Sequence, residues 1–186
     1  MATLRPFRQI NENDVVNLFA LDAGTAVKGN LVKLHVGWKA DDDLSTTSIS
    51  SYDNTVSDRY NTVARVKLTG SADVVFGMLL HDVAEVDENG EKLIWHPRKA
   101  HEMQVSLDGQ VVPVLTRGIV MVNGIEVAGG GVGEAIAVGV KLYAGSNGGM
   151  VTLAAPTADQ LKGYVGFCLG AAANGNVLIK FDPRSL

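Results

Sequence analysis

Short runs of alternating apolar and polar residues, closed by glycine-containing turns, recur along the C-terminal half of the chain. An Asn-Gly or Asp-Gly pair favours positive φ at both centres of a tight turn, so between β-rich runs it marks a hairpin. Five such pairs occur: Asn89-Gly90, Asp108-Gly109, Asn123-Gly124, Asn147-Gly148 and Asn174-Gly175. Around Asp108-Gly109, Met103, Val105 and Leu107 lead in and Val111 to Leu115 lead out, which predicts two strands paired across a two-residue loop. The same pattern predicts strand pairs about Asn123-Gly124 and Asn174-Gly175, and a further strand over Ala135 to Tyr143.

The N-terminal half is organised differently. Alternating strands are predicted over Asn30 to Val36 and Thr62 to Leu68, separated by a polar excursion at about 39–61 that is rich in Ser, Thr and Asp. Residues 1–14 read as an extended arm ahead of the apolar segment Val15 to Leu21. Helical signals are few: Pro97 suits the first position of a short helix running to Glu102, and Ala158 to Lys162 forms another candidate. The expectation is an all-β chain, a compact β-barrel or sandwich built from hairpins. Its single domain spans 15–186, with the arm at 1–14 and no internal repeat.

Composition narrows the class. Across 186 residues, 46% are hydrophobic and 19% charged, which favours a packed core over disorder. No apolar run approaches the roughly 20 residues of a membrane span. A net charge of -4 supplies no basic footprint for a nucleic-acid backbone. The N-terminal MATLRPFRQINEND lacks the apolar core of a secretory signal, so synthesis in a cytoplasm is expected. The single cysteine, Cys168, lies between Phe167 and Leu169 and reads as a buried thiol.

Candidate chemistry is thin. The Gly129 to Gly133 stretch lacks the Lys-Ser or Lys-Thr pair and the following helix of a phosphate-binding loop. His81, Asp82, His96, His101 and Glu102 do not have the spacing of a metal-binding helix. Asp41, Asp42 and Asp43 lack the alternate ligand positions, glycine and closing glutamate of a calcium loop. No Gly-x-Ser-x-Gly elbow is present. These observations predict a non-enzyme with no catalytic, cofactor-binding or metal-ligating residues. The aromatic residues are scattered through the sequence, and most are expected in the core. Trp38 and Tyr52, at or within the polar excursion, are instead candidate interface anchors.

The segments HDVAEVDENGEKLIWHPRKAHEMQVSLDGQVVPVLTRGIVMVNG, GVKLYAGSNGGMVTL and GYVGFCLGAAANGNVLIKFD resemble the small β-barrel proteins that decorate the heads of tailed bacteriophages. The similarity runs from about Val74 to Asp182. It rests on the order of a Gly-Gln-Val-Val-Pro-Val strand, a Lys-Leu-Tyr-Ala strand entering a glycine turn, and a closing Val-Gly…Leu-Gly-Ala-Ala hairpin. The resemblance implies a virion structural protein on the outer surface of the head. Such a capsid cement protein binds the major capsid protein at capsomer junctions after expansion and resists the pressure of packaged DNA. The longer N-terminal half and the 39–61 excursion depart from the compact members of that family.

In this reading a rigid barrel is stapled to the capsid by an arm in which Arg5, Phe7, Arg8 and Ile10 make the contact. Two guanidiniums flanking apolar anchors suit an acidic groove. A homo-oligomer, a trimer in preference to a dimer, repeats the contact over the lattice. The alternatives are a tail or vertex adaptor of the virion, and an enzyme or carbohydrate-binding β-domain. No nucleic acid, membrane or cofactor is expected as a partner.

Overall fold

In the computed structural model, residues 4–7, 10–22, 24–36, 64–127, 136–170 and 174–183 are described. The polar excursion at 39–61, together with Arg8, Trp38 and Tyr52, lies outside them.

The chain is all-β. Its strands are β1 (Leu4–Pro6), β2 (Val15–Leu21), β3 (Leu31–Val36), β4 (Arg65–Leu68), β5 (Gly77–Leu79), β6 (Asp82–Val83) and β7 (Val105–Ser106). They continue with β8 (Val111–Leu115), β9 (Gly118–Asn123), β10 (Glu126–Val127), β11 (Lys141–Ala144), β12 (Met150–Thr152), β13 (Tyr164–Cys168) and β14 (Asn176–Phe181). Strands β2-β4-β3-β5-β8 close into a barrel, which leaves no sheet edge open among them. A seven-stranded sheet in the order β1-β9-β14-β13-β11-β12-β10 lies against it, and β6 and β7 form a small parallel pair.

Alternation explains the sheet, and its breakdown explains the barrel. In β14, Val177, Ile179 and Phe181 are buried while the residues between them are partly exposed, so one face meets the core. Strands β3, β5 and β8 instead carry adjacent buried pairs, Leu31-Val32, Met78-Leu79 and Val114-Leu115. One member of each pair fills the barrel beside Phe19, Leu21 and Val66. The other joins Val120, Leu142, Val165 and Ile179 in the core between barrel and sheet. A strand buried on both faces has no polar side to alternate with. The alternation predicted for Asn30 to Val36 therefore fails as a burial pattern: Leu31 and Val32 are both buried, and farther along the strand Leu34 is half exposed beside an exposed His35.

Turn chemistry was a good guide to reversals and a weaker guide to pairing. Asn147 and Gly148 (φ 50° and 72°) join the paired strands β11 and β12, and Asn174 and Gly175 (φ 52° and 76°) precede β14 in its hairpin with β13. Asn89-Gly90 lies in a turn bridged by Val86 and Lys92. Asp108-Gly109 also turns the chain, but β7 pairs with β6 while β8 enters the barrel. Asn123-Gly124 likewise separates β9 from β10, which pairs with β12. At these two sites the gain from placing Val112, Val114 and Val122 in the cores outweighs a local hairpin. Of the strand expected over Ala135 to Tyr143, Ala135 lies outside the described residues and 136–140 are not strand; it begins at Lys141, because Gly139 turns at φ 84° and Val138 is exposed.

Both short helices form, as Pro97–Glu102 and Ala158–Leu161. The first belongs to a satellite layer over Leu93, Ala100 and Leu107. There the buried carboxylate of Asp87 accepts from the backbone N–H groups of Asn89 and Glu91 (2.8 Å each) and pairs with Lys99, tying the turn to the helix. The Lys99 ammonium holds that carboxyl below its ordinary range.

The segment expected as an extended arm is in part a strand of this sheet. Leu4–Pro6 pairs antiparallel with β9 at the sheet edge, and Leu4 is buried in the main core. Residues Glu12–Asp14 form a 3₁₀ turn capped by the Asn11 side chain. An edge strand brings both hydrogen-bond partners and one apolar side chain into the fold, which holds this end to its own domain.

Candidate functional site

The proposed contact residues of the N-terminal segment separate in space. Arg5 and Phe7 are exposed, Phe7 by 56%, whereas Ile10 packs against the main core of its own chain. Ile10 is thus withdrawn from the set free to reach a neighbour. Its apolar side chain is stabilised by burial at home.

The histidines do not assemble a centre. His81 is half-buried, and burial lowers its pKa below the ordinary imidazole range against the opposing pull of the neighbouring Asp82 carboxylate. His96 is exposed and 3.9 Å from Glu91, and Glu102 pairs with Arg98 on the helix surface. Among the described residues, no three His, Cys, Asp or Glu side chains are gathered as metal ligands. Cys168 is fully buried, and burial pushes its thiol up to about 11. At pH 8 only about one such thiol in a thousand is ionised. Native protein is expected to react with iodoacetamide at least about 100-fold more slowly than denatured protein. Comparable rates would show that the strand opens readily.

The register of the seven-stranded sheet defines a different site. Pro6 pairs with Val120, and the N–H of Phe7 donates to the carbonyl of Ile119 (3.4 Å), so Phe7 lies level with Ile119. Ile119 pairs with Lys180, Lys180 with Phe167, and Phe167 with Lys141. One row therefore crosses β1, β9, β14, β13 and β11, about 19 Å at the usual strand spacing. Val120, Ile179, Cys168 and Leu142, the neighbours of these residues along each strand, belong to the core. The row thus occupies the opposite face, where a parallel row of Arg5, Met121 and Leu178 runs beside it.

A β-bulge concentrates aromatic rings at the end of this face. Tyr143 pairs with Tyr164 and Leu142 with Gly166, leaving Val165 as an extra residue in β13. Residues three apart in a regular strand point to opposite sides. The bulge instead brings Tyr164 and Phe167 to the same side, where they line one cleft. The cleft, about 330 Å³, is completed by Lys141, Tyr143, Leu161, Lys180 and Asp182. The Tyr143 and Tyr164 rings meet edge to face with centroids 6.1 Å apart, and the Lys180 ammonium stands 5.7 Å from the centre of the Phe167 ring. Leu161 comes from the second helix, whose start is fixed by reciprocal hydrogen bonds between Thr157 and Gln160.

None of Lys141, Tyr143, Tyr164, Phe167, Lys180 or Asp182 was singled out as a site residue from the sequence. The visible signal was the pair of lysines at alternating positions beside aromatics, in Lys-Leu-Tyr and Ile-Lys-Phe-Asp. Only the register brings these stretches together. The arrangement sets apolar walls beside two cations and one carboxylate. Comparisons of this chain with protein-family models, with curated proteins and with solved structures each return no match.

Proposed function

We propose that this protein is a structural component of a tailed-phage particle, binding the outer surface of the head at capsomer junctions and stabilising the shell. The observation that carries the reading is the two-row face of the seven-stranded sheet, a broad contact surface that includes Arg5 and Phe7 and is backed by a closed barrel. The resemblance of residues from about Val74 to Asp182 to head-decoration proteins supports the same reading, and nearly all of this face comes from that stretch.

In this proposal the sheet face, rather than a free arm, makes the principal contact with the major capsid protein. A contact of this size is weak alone. A homo-oligomer, most simply a trimer, engages several shell subunits at once and gains affinity from effective concentration.

Purified protein mixed with source-phage heads stripped of native copies is expected to cosediment and saturate at a fixed, lattice-like ratio to the major capsid protein. Absence of binding, or a handful of copies per particle, would sink the reading in favour of a tail or vertex component.

A further inference from the structure

We infer that the cleft between β11, β13 and β14 receives an acidic segment of a partner polypeptide, its carboxylate held by Lys141 and Lys180 and its apolar flank set against Phe167, Tyr164 and Leu161. The capsid reading supplies only the identity of that partner, the major capsid protein.

Charge complementarity selects the occupant. The chain is net negative, at -4, yet the face bearing the cleft carries Arg5, Lys141 and Lys180 against two acids, Asp182 in the cleft lining and Glu126 on β10 at the far edge of the sheet. Lys141 is exposed, and directly paired residues place Lys141, Phe167 and Lys180 side by side, so the cations flank an aromatic ring. An oxygen anion between two ammoniums, with carbon against the rings, uses both halves of this lining.

Other occupants use less of it. A free inorganic anion leaves the apolar walls without a partner. A sugar ring is neutral and makes no use of the charges on Lys141 and Lys180. A nucleic-acid backbone needs a denser cationic track than this. A two-fold contact centred on the two lysines sets these cations against their own equivalents.

The test is a titration of the full ¹⁵N-labelled chain with the peptide acetyl-Leu-Glu-Asp-Phe-amide and its neutral counterpart acetyl-Leu-Gln-Asn-Phe-amide. The acidic peptide is expected to shift the amides of 141–143, 164–167 and 180–182 saturably, with the neutral one about tenfold weaker or more. The double variant Lys141→Gln/Lys180→Gln is expected to lose that preference while its other resonances stay in place, and rising salt to erode it. Equal binding of both peptides, no shifts, or shifts elsewhere would overturn the inference. So would acidic-peptide binding that emerges only when Asp41, Asp42 and Asp43 are replaced by Asn, because the occupant would then be this chain's own acidic run.

Stripped heads separate the two proposals. Binding by the wild type that falls about tenfold in the double variant supports both. Equal binding by the two proteins removes the cleft from the contact and overturns the inference while the capsid reading stands. Peptide binding with no head binding by the wild type overturns the capsid reading and leaves the cleft as an acidic-segment site.

Discussion

Phe181→Ala is expected to lower the unfolding free energy by about 4 kcal/mol, the middle of the range for truncating a buried aromatic. Phe181 is fully buried in the core between sheet and barrel, and its paired neighbours on both sides are glycines, Gly118 on β9 and Gly166 on β13. Its loss leaves three small residues in a row across three strands, with no cross-strand side chain to close the cavity. For a chain of this length the thermal midpoint should fall by roughly 8–16 °C. Urea unfolding followed by circular dichroism reads the effect, and a loss below about 1 kcal/mol would show that the site is not packed as core.

The second large effect is expected at Gly166. A Cβ built there lies 2.0 Å from the carbonyl oxygen of Lys180, a backbone atom held in the β13–β14 pairing. That oxygen has no rotamer through which to move away, so Gly166→Ala must push the two strands apart or unwind the bulge. The cost is expected to be about 3 kcal/mol, as for severe overpacking. The strands that carry Phe167 and Lys180 would separate too, so the variant should also lose the acidic-peptide shifts described above. Amide exchange is the sharper readout: loss of protection confined to β13 and β14 marks local separation, and unchanged protection would show that the close approach is relieved without breaking the pairing.

These two sites show why parts of the fold were legible and parts were not. Alternation in Asn176 to Phe181 and the Asn-Gly turns identified strands and reversals, because side-chain period and positive φ are properties of neighbouring residues. The partners of β8 were misread, since Asp108-Gly109 favours a reversal but does not specify which strand will bury Val112 and Val114. The N-terminal segment was misread for a related reason: Arg5 and Phe7 suggest a reaching arm, whereas the burial of Leu4 and pairing with β9 dock it at home. The aromatic site escaped notice because one extra residue, Val165, reverses the face on which Tyr164 lies relative to Phe167. A glycine within a strand, here Gly166, does mark a bulge or a close backbone approach, but it does not say which distant side chains the bulge brings to one face.

The sequence by itself determined that the chain builds short strands around apolar cores, places its reversals at glycine-containing turns and buries its only cysteine. Each of these follows from interactions a residue has with its near neighbours or with water. Tertiary structure alone decided that five strands close into a barrel, that residues 4–6 become the edge of a second sheet, and that Lys141, Phe167 and Lys180 stand together on its outer face. Those outcomes depend on register between distant segments. Register is settled by which arrangement buries the most apolar surface while pairing every strand, a property of the whole chain rather than of any window within it.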